Sequence, residues 1–200
     1  KVAKLPALKT SGFNDRNWQG IGNSVLHFDG TSYLTIPDHV NFHLVDANSE
    51  WSIEAWVYPS KAMTSDGWVM GAASSANNRW ELKWQSGKQF NWYIRINSVD
   101  RVSINTNSAL GDLPTGQWYH VVMTRSVGGV YSIHVNGKLA VASSAWTGEW
   151  DYWADDDIHI GRYPAGASDF WNGFMDEIVV HKIEPTAAAG SGAYSANTVI

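Results

Sequence analysis

The stretch that decides the fold reads Arg79-Trp80-Glu81-Leu82-Lys83-Trp84-Gln85, Ser86-Gly87-Lys88 and Phe90-Asn-Trp92-Tyr93-Ile94-Arg95-Ile96-Asn. Its first part alternates charged and apolar residues, which places Trp80, Leu82 and Trp84 on one face of a β-strand. The last part alternates in the same way, and the Ser-Gly-Lys between them favours a turn. These residues therefore predict a β-hairpin with one apolar face.

The same period-two pattern recurs on both sides of this hairpin. Further strands are predicted at 51–58, 118–125, 131–135, 158–160 and 174–181. Asn136-Gly137 is the preferred dipeptide of a type I′ hairpin turn. Strands that recur every 8–12 residues or so, with turn residues between them, predict an all-β fold of two packed sheets.

The composition supports one domain with a sizeable core and argues against two kinds of partner. Apolar residues make up 44% of the 200-residue chain, and twelve tryptophans concentrate burial in rigid rings. A net charge of −5, without basic runs, argues against nucleic acid. No apolar run reaches about 18 residues, so no membrane insertion is expected. The absence of cysteine excludes disulfides and thiolate metal sites.

Six segments occur in an order that is typical of one family. They are Leu26-His-Phe28-Asp29-Gly30-Thr-Ser-Tyr33-Leu-Thr-Ile36-Pro37, Trp51-Ser-Ile-Glu-Ala-Trp56-Val-Tyr-Pro59, Trp118-Tyr-His120-Val-Val-Met-Thr124, Tyr131-Ser-Ile-His-Val-Asn136-Gly137, Ile158-His-Ile-Gly161-Arg162 and Phe174-Met-Asp176-Glu177-Ile178. Together they resemble the laminin-G-like, concanavalin A-like lectin/glucanase superfamily, in its bacterial and phage branch.

The resemblance implies a two-sheet antiparallel jelly-roll sandwich, with the Phe28 and Phe174 segments in neighbouring strands. It also implies a frequent single calcium site and frequent binding of glycans or protein surfaces. We expect residues 1–24 to be an N-terminal extension or edge strand and residues 25–184 to be the laminin-G-like sandwich. Residues 185–200, rich in Ala, Gly and Ser, are expected to be a flexible tail or linker.

One irregular stretch combines rings with acids: Trp146-Thr-Gly-Glu-Trp150-Asp-Tyr152-Trp153-Ala-Asp155-Asp156-Asp157. Exposed rings are costly, so such rings either fold back under the loop or contact a ligand. A pyranose face can stack on an indole ring while polar neighbours bind the hydroxyls. The predicted glycan-binding residues are Trp146, Trp150, Tyr152, Trp153, Asp155, Arg162, Trp171 and Asn172. For each ring the alternative is that it closes one end of the sandwich as core.

A second candidate surface is the concave face of a sheet. Trp56, Tyr93 and Arg95 point opposite the main apolar faces of their strands, and they form the alternative ligand-binding set. The pattern leaves open whether a ligand binds at the loop end or on the sheet.

The expected cofactor is Ca²⁺ in a structural role, bound at Asp29, Gly30, Asp176 and Glu177. Calcium takes carboxylate and turn carbonyl ligands, and the family places the two segments close together. The alternative is that Asp29 caps its own turn while Asp176 and Glu177 form ordinary polar pairs. Residues 155–157 are predicted to be a solvated turn, with a ligand-associated cation site as the alternative.

Catalysis needs separate attention because the superfamily contains glycoside hydrolases. Its glucanases use Glu-x-Asp-x-x-Glu, and the near match Glu149-Trp-Asp151-Tyr-Trp-Ala154 has alanine where the third acid belongs. Asp155 follows one residue later, and a slip of one residue sends a strand side chain to the other face. The chain is therefore predicted to be non-catalytic.

The predicted function is carbohydrate binding on an extracellular or virion surface, by stacking of sugar on loop tryptophans. The alternative is a structural or protein-interaction domain, such as a phage decoration, fibre or adhesin module. In that case other chains of a larger assembly would cover the aromatic patch, which would be larger and flatter than a glycan platform.

Overall fold

The computed structural model describes residues 25–38, 50–148, 156–166, 168–183 and 197–199. Thirteen strands and one short helix lie in these ranges. They are β1 (Leu26–Asp29), β2 (Leu34–Ile36), β3 (Glu50–Pro59), β4 (Gly67–Ser75), β5 (Asn78–Gln85), β6 (Gln89–Ile96), β7 (Val99–Asn105), α1 (Asn107–Leu110), β8 (Tyr119–Arg125), β9 (Tyr131–Val135), β10 (Lys138–Ala142), β11 (Ile158–Ile160), β12 (Asn172–Ile183) and β13 (Asn197–Val199).

The strands form two antiparallel sheets. Sheet A has the order β1-β12-β3-β8-β9-β10, with β13 also paired to β12, and sheet B has the order β2-β11-β4-β5-β6-β7. The chain changes sheet between β1 and β2, between β2 and β3 and between β3 and β4, so the sheets are interleaved. The predicted two-sheet antiparallel jelly-roll sandwich is confirmed. Phe28 and Phe174 lie on neighbouring strands, where His27 pairs with Phe174 and Phe28 with Gly173.

The core lies between the sheets and is rich in tryptophan. Trp80, Leu82 and Trp84 of the predicted hairpin face inward and are buried, with β5 paired to β6. Trp51 packs against Trp92 with ring centroids 5.4 Å apart. Each buried ring removes about 150–250 Å² from water, and such burial is the main favourable contribution to folding.

The turn at the end of β9 has the predicted conformation. Asn136 and Gly137 have φ of 50° and 76°, and β9 and β10 pair on either side of them. Both central residues of a type I′ turn need positive φ, which asparagine and glycine adopt at the least cost.

The outward positions of the two sheets form two separate faces. Outer face A, on sheet A, consists of Glu54, Trp56, Tyr58, Trp118, His120, Phe174 and His181, with His27. Outer face B, on sheet B, consists of Arg79, Glu81, Lys83, Tyr93, Arg95 and His159, with the flanking Tyr33, Asp66, Asp100, Arg162, Tyr163 and Asp169. The alternative ligand-binding set therefore does not form one surface, because Trp56 lies on face A while Tyr93 and Arg95 lie on face B. Period two distinguishes inward from outward positions but does not assign a strand to a sheet.

Within the predicted C-terminal tail, the structure describes residues 197–199. Residues 197–199 form β13, which pairs with β12 at positions 180–182, beyond the residues that β1 occupies. Pairing with this free stretch of β12 satisfies backbone donors and acceptors. The predicted N-terminal extension, residues 1–24, lies outside the described residues. Within the part of the chain that the structure describes, no helix is long and apolar enough to span a membrane.

Candidate functional site

Outer face B runs across five strands of sheet B. Thr35, His159, Gly71, Glu81 and Tyr93 pair in sequence along this row, from β2 through β11, β4 and β5 to β6. Four steps between neighbouring strands cover about 19 Å, since strands lie about 4.8 Å apart. The face is therefore wide enough for a ligand of several units.

A buried carboxylate lies at the centre of this face. Glu81 is only 3% exposed, and its two carboxylate oxygens lie 3.1 Å from Lys83 Nζ and 3.4 Å from Arg79 Nε. Lys83 Nζ is also 3.4 Å from Asp66 Oδ2. Burial raises the pKa of Glu81, although Lys83 and Arg79 oppose that effect. Burial also disfavours the charged form of Lys83, but Glu81 and Asp66 outweigh it and raise the pKa of the amine.

Aromatic rings surround the guanidinium group of this network. Arg79 Cζ lies 4.7 Å from the ring centroid of Tyr93 and 5.9 Å from that of Tyr163. Tyr163 comes from the loop after β11 and packs on Trp68, with centroids 5.1 Å apart. Trp68 is fully buried although it points away from the core, and its indole N–H donates to the carbonyl of His159. The loop therefore covers one part of the face and leaves Tyr93 at its edge.

Gly71 is required beneath this indole. A Cβ at residue 71 would lie 2.4 Å from Trp68 Cζ2 and 2.4 Å from the backbone oxygen of Trp80, and neither distance is tolerable. The missing side chain thus allows the Trp68 indole to lie against the sheet beneath Tyr163.

A second ion pair on the face joins Arg95 and Asp100. Arg95 Nε lies 3.4 Å from Asp100 Oδ1, and the Tyr93 hydroxyl donates to the same carboxylate. Burial raises the pKa of Tyr93, of Tyr163 and of Asp169, and for Asp169 the nearby Asp66 adds to the rise. The network holds the cations Arg79, Lys83 and Arg95 against the carboxylates Glu81, Asp66, Asp100 and Asp169. It is close to charge balance and offers donors, acceptors and ring faces together.

Two of the predicted loop rings pack inward. Trp146 stacks on Tyr131, with centroids 6.3 Å apart, and packs against the core. Trp171 is fully buried, which agrees with the alternative that the ring closes one end of the sandwich as core. It lies against Gly67, where an added Cβ would lie 3.1 Å from its ring. For both rings the structure favours closure of the sandwich. Trp150, Tyr152, Trp153 and Asp155 lie outside the described residues, as do Glu149, Asp151 and Ala154 of the near match to the glucanase motif.

Of the three polar residues of the predicted site, the two that the structure describes lie at the same end of the sandwich. The Trp171 N–H donates to the Gly161 carbonyl, which brings Arg162 and Asn172, the next residues along, to one end. Arg162 lies on Tyr33, with Cζ 3.8 Å from the ring centroid. The amide oxygen of Asn172 accepts a hydrogen bond of 2.6 Å from the Ser60 hydroxyl. Arg162 therefore belongs to outer face B, whereas Asn172 starts β12 of sheet A.

The predicted calcium ligands do not fit a single ion. Asp29 Oδ1 accepts hydrogen bonds from the backbone N–H and the hydroxyl of both Thr31 and Ser32, which lowers the pKa of Asp29 well below its usual range. Asp29 pairs with Asn172, so Asp176 lies four residues farther along β12, about 13 Å away. Asp176 Oδ1 instead accepts from the Glu177 N–H.

Asp29 therefore caps its own turn, which is the alternative that the sequence left open. Gly30 completes that turn with φ of 85°. Among the described residues no group of three or more histidine, aspartate or glutamate side chains could hold a metal ion.

Outer face A is aromatic rather than ionic. Tyr58 contacts Trp118 and Phe174, with centroid distances of 5.5 and 5.7 Å, and Trp56 stacks on His120 at 5.0 Å. Glu54 lies between two imidazoles, at 3.1 Å from His181 Nε2 and 3.5 Å from His120 Nε2. These rings are half-buried, and they pack mainly on each other.

Sequence reasoning named Tyr93 and Arg95 as part of the alternative set and Arg162 as a predicted ligand-binding residue. It did not identify the network of Arg79, Glu81 and Lys83 on face B. Alternation along β5 placed Arg79, Glu81 and Lys83 outward, and that was the only signal available. Nothing in an irregular stretch indicated that Tyr163 would cover Trp68, because that contact depends on the path of a loop.

Comparison with known protein families and solved structures agrees with this fold. The family model described as the Concanavalin A-like lectin/glucanases superfamily matches residues 28–189. No curated protein sequence matches this chain.

Three solved structures illustrate the structural likeness. The CBM40 module of a Ruminococcus gnavus sialidase, bound to α2,3-sialyllactose, has a TM-score of 0.63 and 9% identity over 76% of this chain and 88% of its own. Domain 4 of an extracellular arabinanase from Geobacillus stearothermophilus, in complex with arabinotriose, has a TM-score of 0.60 and 19% identity over 80% and 72%. A heptameric pentraxin from Limulus polyphemus has a TM-score of 0.51 and 18% identity over 77% and 73%. At these identities the likeness shows the fold alone.

Proposed function

The chain belongs to the concanavalin A-like lectin/glucanase superfamily, and we propose that it is a non-catalytic carbohydrate-binding domain whose glycan lies on outer face B. The observation that carries this proposal is the buried Glu81 carboxylate, ion-paired to Arg79 and Lys83 beside the rings of Tyr93 and Tyr163.

The chemistry of this face suits sugar hydroxyls. A hydroxyl donates one hydrogen bond and accepts others, so a sugar needs carboxylate acceptors and cationic donors side by side. The tyrosine rings add apolar faces on which a pyranose can stack.

Stability alone is a weak reason for this arrangement. A buried ion pair often contributes little net stability, because desolvation of the charges offsets their attraction. Perturbed titratable groups that cluster on one surface are characteristic of functional sites. The carbohydrate complexes of two of the similar structures also support a glycan ligand.

The expected affinity is low for a single site, roughly micromolar to millimolar, since a few stacked rings and exchangeable hydrogen bonds carry it. Several copies on one particle would raise the apparent affinity through avidity. This suits the extracellular or virion surface that we propose for the domain.

A glycan and polysaccharide array, followed by calorimetric titration, tests the proposal. Tyr93→Ala removes a ring from face B and should weaken binding about tenfold. Tyr58→Ala removes a half-buried ring from face A and should leave affinity unchanged. Both variants must keep the wild-type near-ultraviolet circular dichroism spectrum.

Two results would redirect the proposal. If Trp150→Ala abolishes binding while Tyr93→Ala does not, the glycan lies on the predicted loop platform. If overnight incubation with polysaccharides releases reducing ends, the domain is an enzyme.

A second candidate function is protein interaction through outer face A. The observation that favours it is the half-buried ring cluster around Tyr58, Trp118 and Phe174, which suits an apolar partner surface. Absence of binding on the glycan array, together with self-association in light scattering that Tyr58→Ala weakens, would establish this function instead.

A further inference from the structure

Arg162 differs from the other cations of outer face B in having no carboxylate partner. Arg79, Lys83 and Arg95 are each within 3.4 Å of an aspartate or glutamate oxygen. For Arg162 no such ion pair occurs among the residues that the structure describes. Its guanidinium group lies instead on the ring of Tyr33, with Cζ 3.8 Å from the centroid.

The neighbours of Arg162 hold its guanidinium plane without neutralising it. Its Nη2 lies 3.4 Å from His159 Nε2. Burial and the charge of Arg162 lower the pKa of His159, so the imidazole is neutral at neutral pH and its Nε2 can accept the hydrogen bond. Asp157 opposes this effect and raises the pKa of His159. The Oδ1 atom of Asp157 also accepts a hydrogen bond from the Asp38 N–H at 3.1 Å. Tyr33 is 42% exposed, so this arrangement lies at the surface.

We propose that Arg162, supported by Tyr33, binds the carboxylate of an acidic sugar unit in the glycan that occupies outer face B. This inference rests on the proposed function. A planar guanidinium can donate two parallel hydrogen bonds to a carboxylate, and support from the ring reduces the conformational entropy lost on binding.

The rest of the face cannot supply this selectivity. The central network already pairs its cations with carboxylates, so it has no excess positive charge for an anion. Arg162 follows β11, and Glu81 lies on β5, two strands away or about 10 Å. A ligand that contacts both sites is therefore an oligosaccharide with an acidic unit toward β11 and β2.

The test compares acidic glycans with neutral counterparts of the same backbone. The probes are oligogalacturonate with its methyl ester, and sialyllactose with lactose, titrated against the wild-type domain. Arg162→Gln is the test variant. Arg101→Gln, which removes an exposed arginine from β7, is the control with the same change of net charge.

We expect the wild type to prefer the acidic member of at least one pair by about tenfold or more. Arg162→Gln should abolish that preference and leave the neutral affinity unchanged, whereas Arg101→Gln should behave as the wild type. Raising the salt concentration should reduce the preference in the wild type and have little effect in Arg162→Gln.

Other results distinguish failure of the acidic-sugar inference from failure of the proposed glycan-binding function. If the wild type binds both members of every pair equally, or if Arg162→Gln weakens both members equally, the acidic-sugar inference is overturned and glycan binding stands. If a carrageenan oligosaccharide, which carries sulfate groups but no carboxylate, binds better than every carboxylated probe, the carboxylate assignment is wrong. Failure to bind any glycan overturns both the inference and the proposed function.

Discussion

Outer faces A and B are built from the same kind of position, the outward residues of antiparallel strands, yet they are stabilised differently. On face A, Tyr58 packs between Trp118 and Phe174, and ring contacts hold the surface together. On face B, Glu81 is 3% exposed and its neighbours are cations. The two faces therefore differ in the contacts that replace water: ring contacts on face A and ion pairs on face B.

This difference determines the partner that each face suits. An aromatic surface gains free energy only when another apolar surface covers it. An ion-paired surface with flanking rings can exchange water for hydroxyls at its edge while its central hydrogen bonds stay intact. Face B therefore suits a glycan and face A suits a protein surface.

The largest expected effect is on stability. It should differ between the central carboxylates of the two faces, Glu81 on face B and Glu54 on face A. Glu81→Ala should reduce the free energy of unfolding by about 3–5 kcal/mol, because it removes the buried carboxylate that pairs with both Arg79 and Lys83 and leaves only Asp66 beside Lys83. Glu54→Ala should cost no more than about 1 kcal/mol, because its side chain is 31% exposed. Urea unfolding measures both, and equal losses would show that burial does not distinguish the faces.

A smaller effect concerns pH. Burial raises the pKa of Glu81 above its usual 4.5, so the folded protein holds this proton more tightly than the unfolded chain does. The contribution of Glu81 to stability is fully present below pH 4.5 and is lost as the pH rises through the raised value. The free energy of unfolding of the wild type, measured relative to that of Glu81→Gln, should therefore fall as the pH rises across that window in urea unfolding.

Glu54→Gln, the matched change on face A, is the control for this dependence of the free energy of unfolding on pH. If the wild type instead gains stability relative to Glu81→Gln as the pH rises above 4.5, the assigned direction is contradicted.

The smallest expected effect is that of removing calcium, because the predicted ligands lie too far apart to bind one ion. Because Asp29 Oδ1 already accepts four hydrogen bonds and Asp176 lies about 13 Å along the strand, we expect EDTA to leave the Tm unchanged. Differential scanning fluorimetry with EDTA and then with excess Ca²⁺ measures this. A rise in Tm with Ca²⁺ that Asp29→Ala abolishes would restore the predicted site.

Local patterns predicted the fold well because they act over a few residues. The hairpin of β5 and β6 follows from alternation, and the β9–β10 turn follows from Asn136-Gly137. The adjacency of the Phe28 and Phe174 segments came from family resemblance, and the register confirms it. The site was harder to predict because its residues come from distant segments of the chain.

Trp171 shows why rings in irregular stretches are difficult to assign. Its neighbours in sequence suggested a ligand platform, yet it is fully buried against Gly67. Arg162 was assigned to ligand binding, but its support by Tyr33 could not be foreseen, since 129 positions of sequence separate the two residues.

By itself, the sequence determined that this chain forms a β-sandwich, which side of each predicted strand faces the core, and where the tightest turn lies. These properties depend on alternation and backbone preference, which are local. Only the tertiary structure decided that Trp56 and Tyr93 lie on opposite faces, that Tyr163 covers Trp68, and that Arg162 stands without a carboxylate. Those properties depend on the sheet to which each strand belongs and on the path of the loops, and both are set by packing between distant segments.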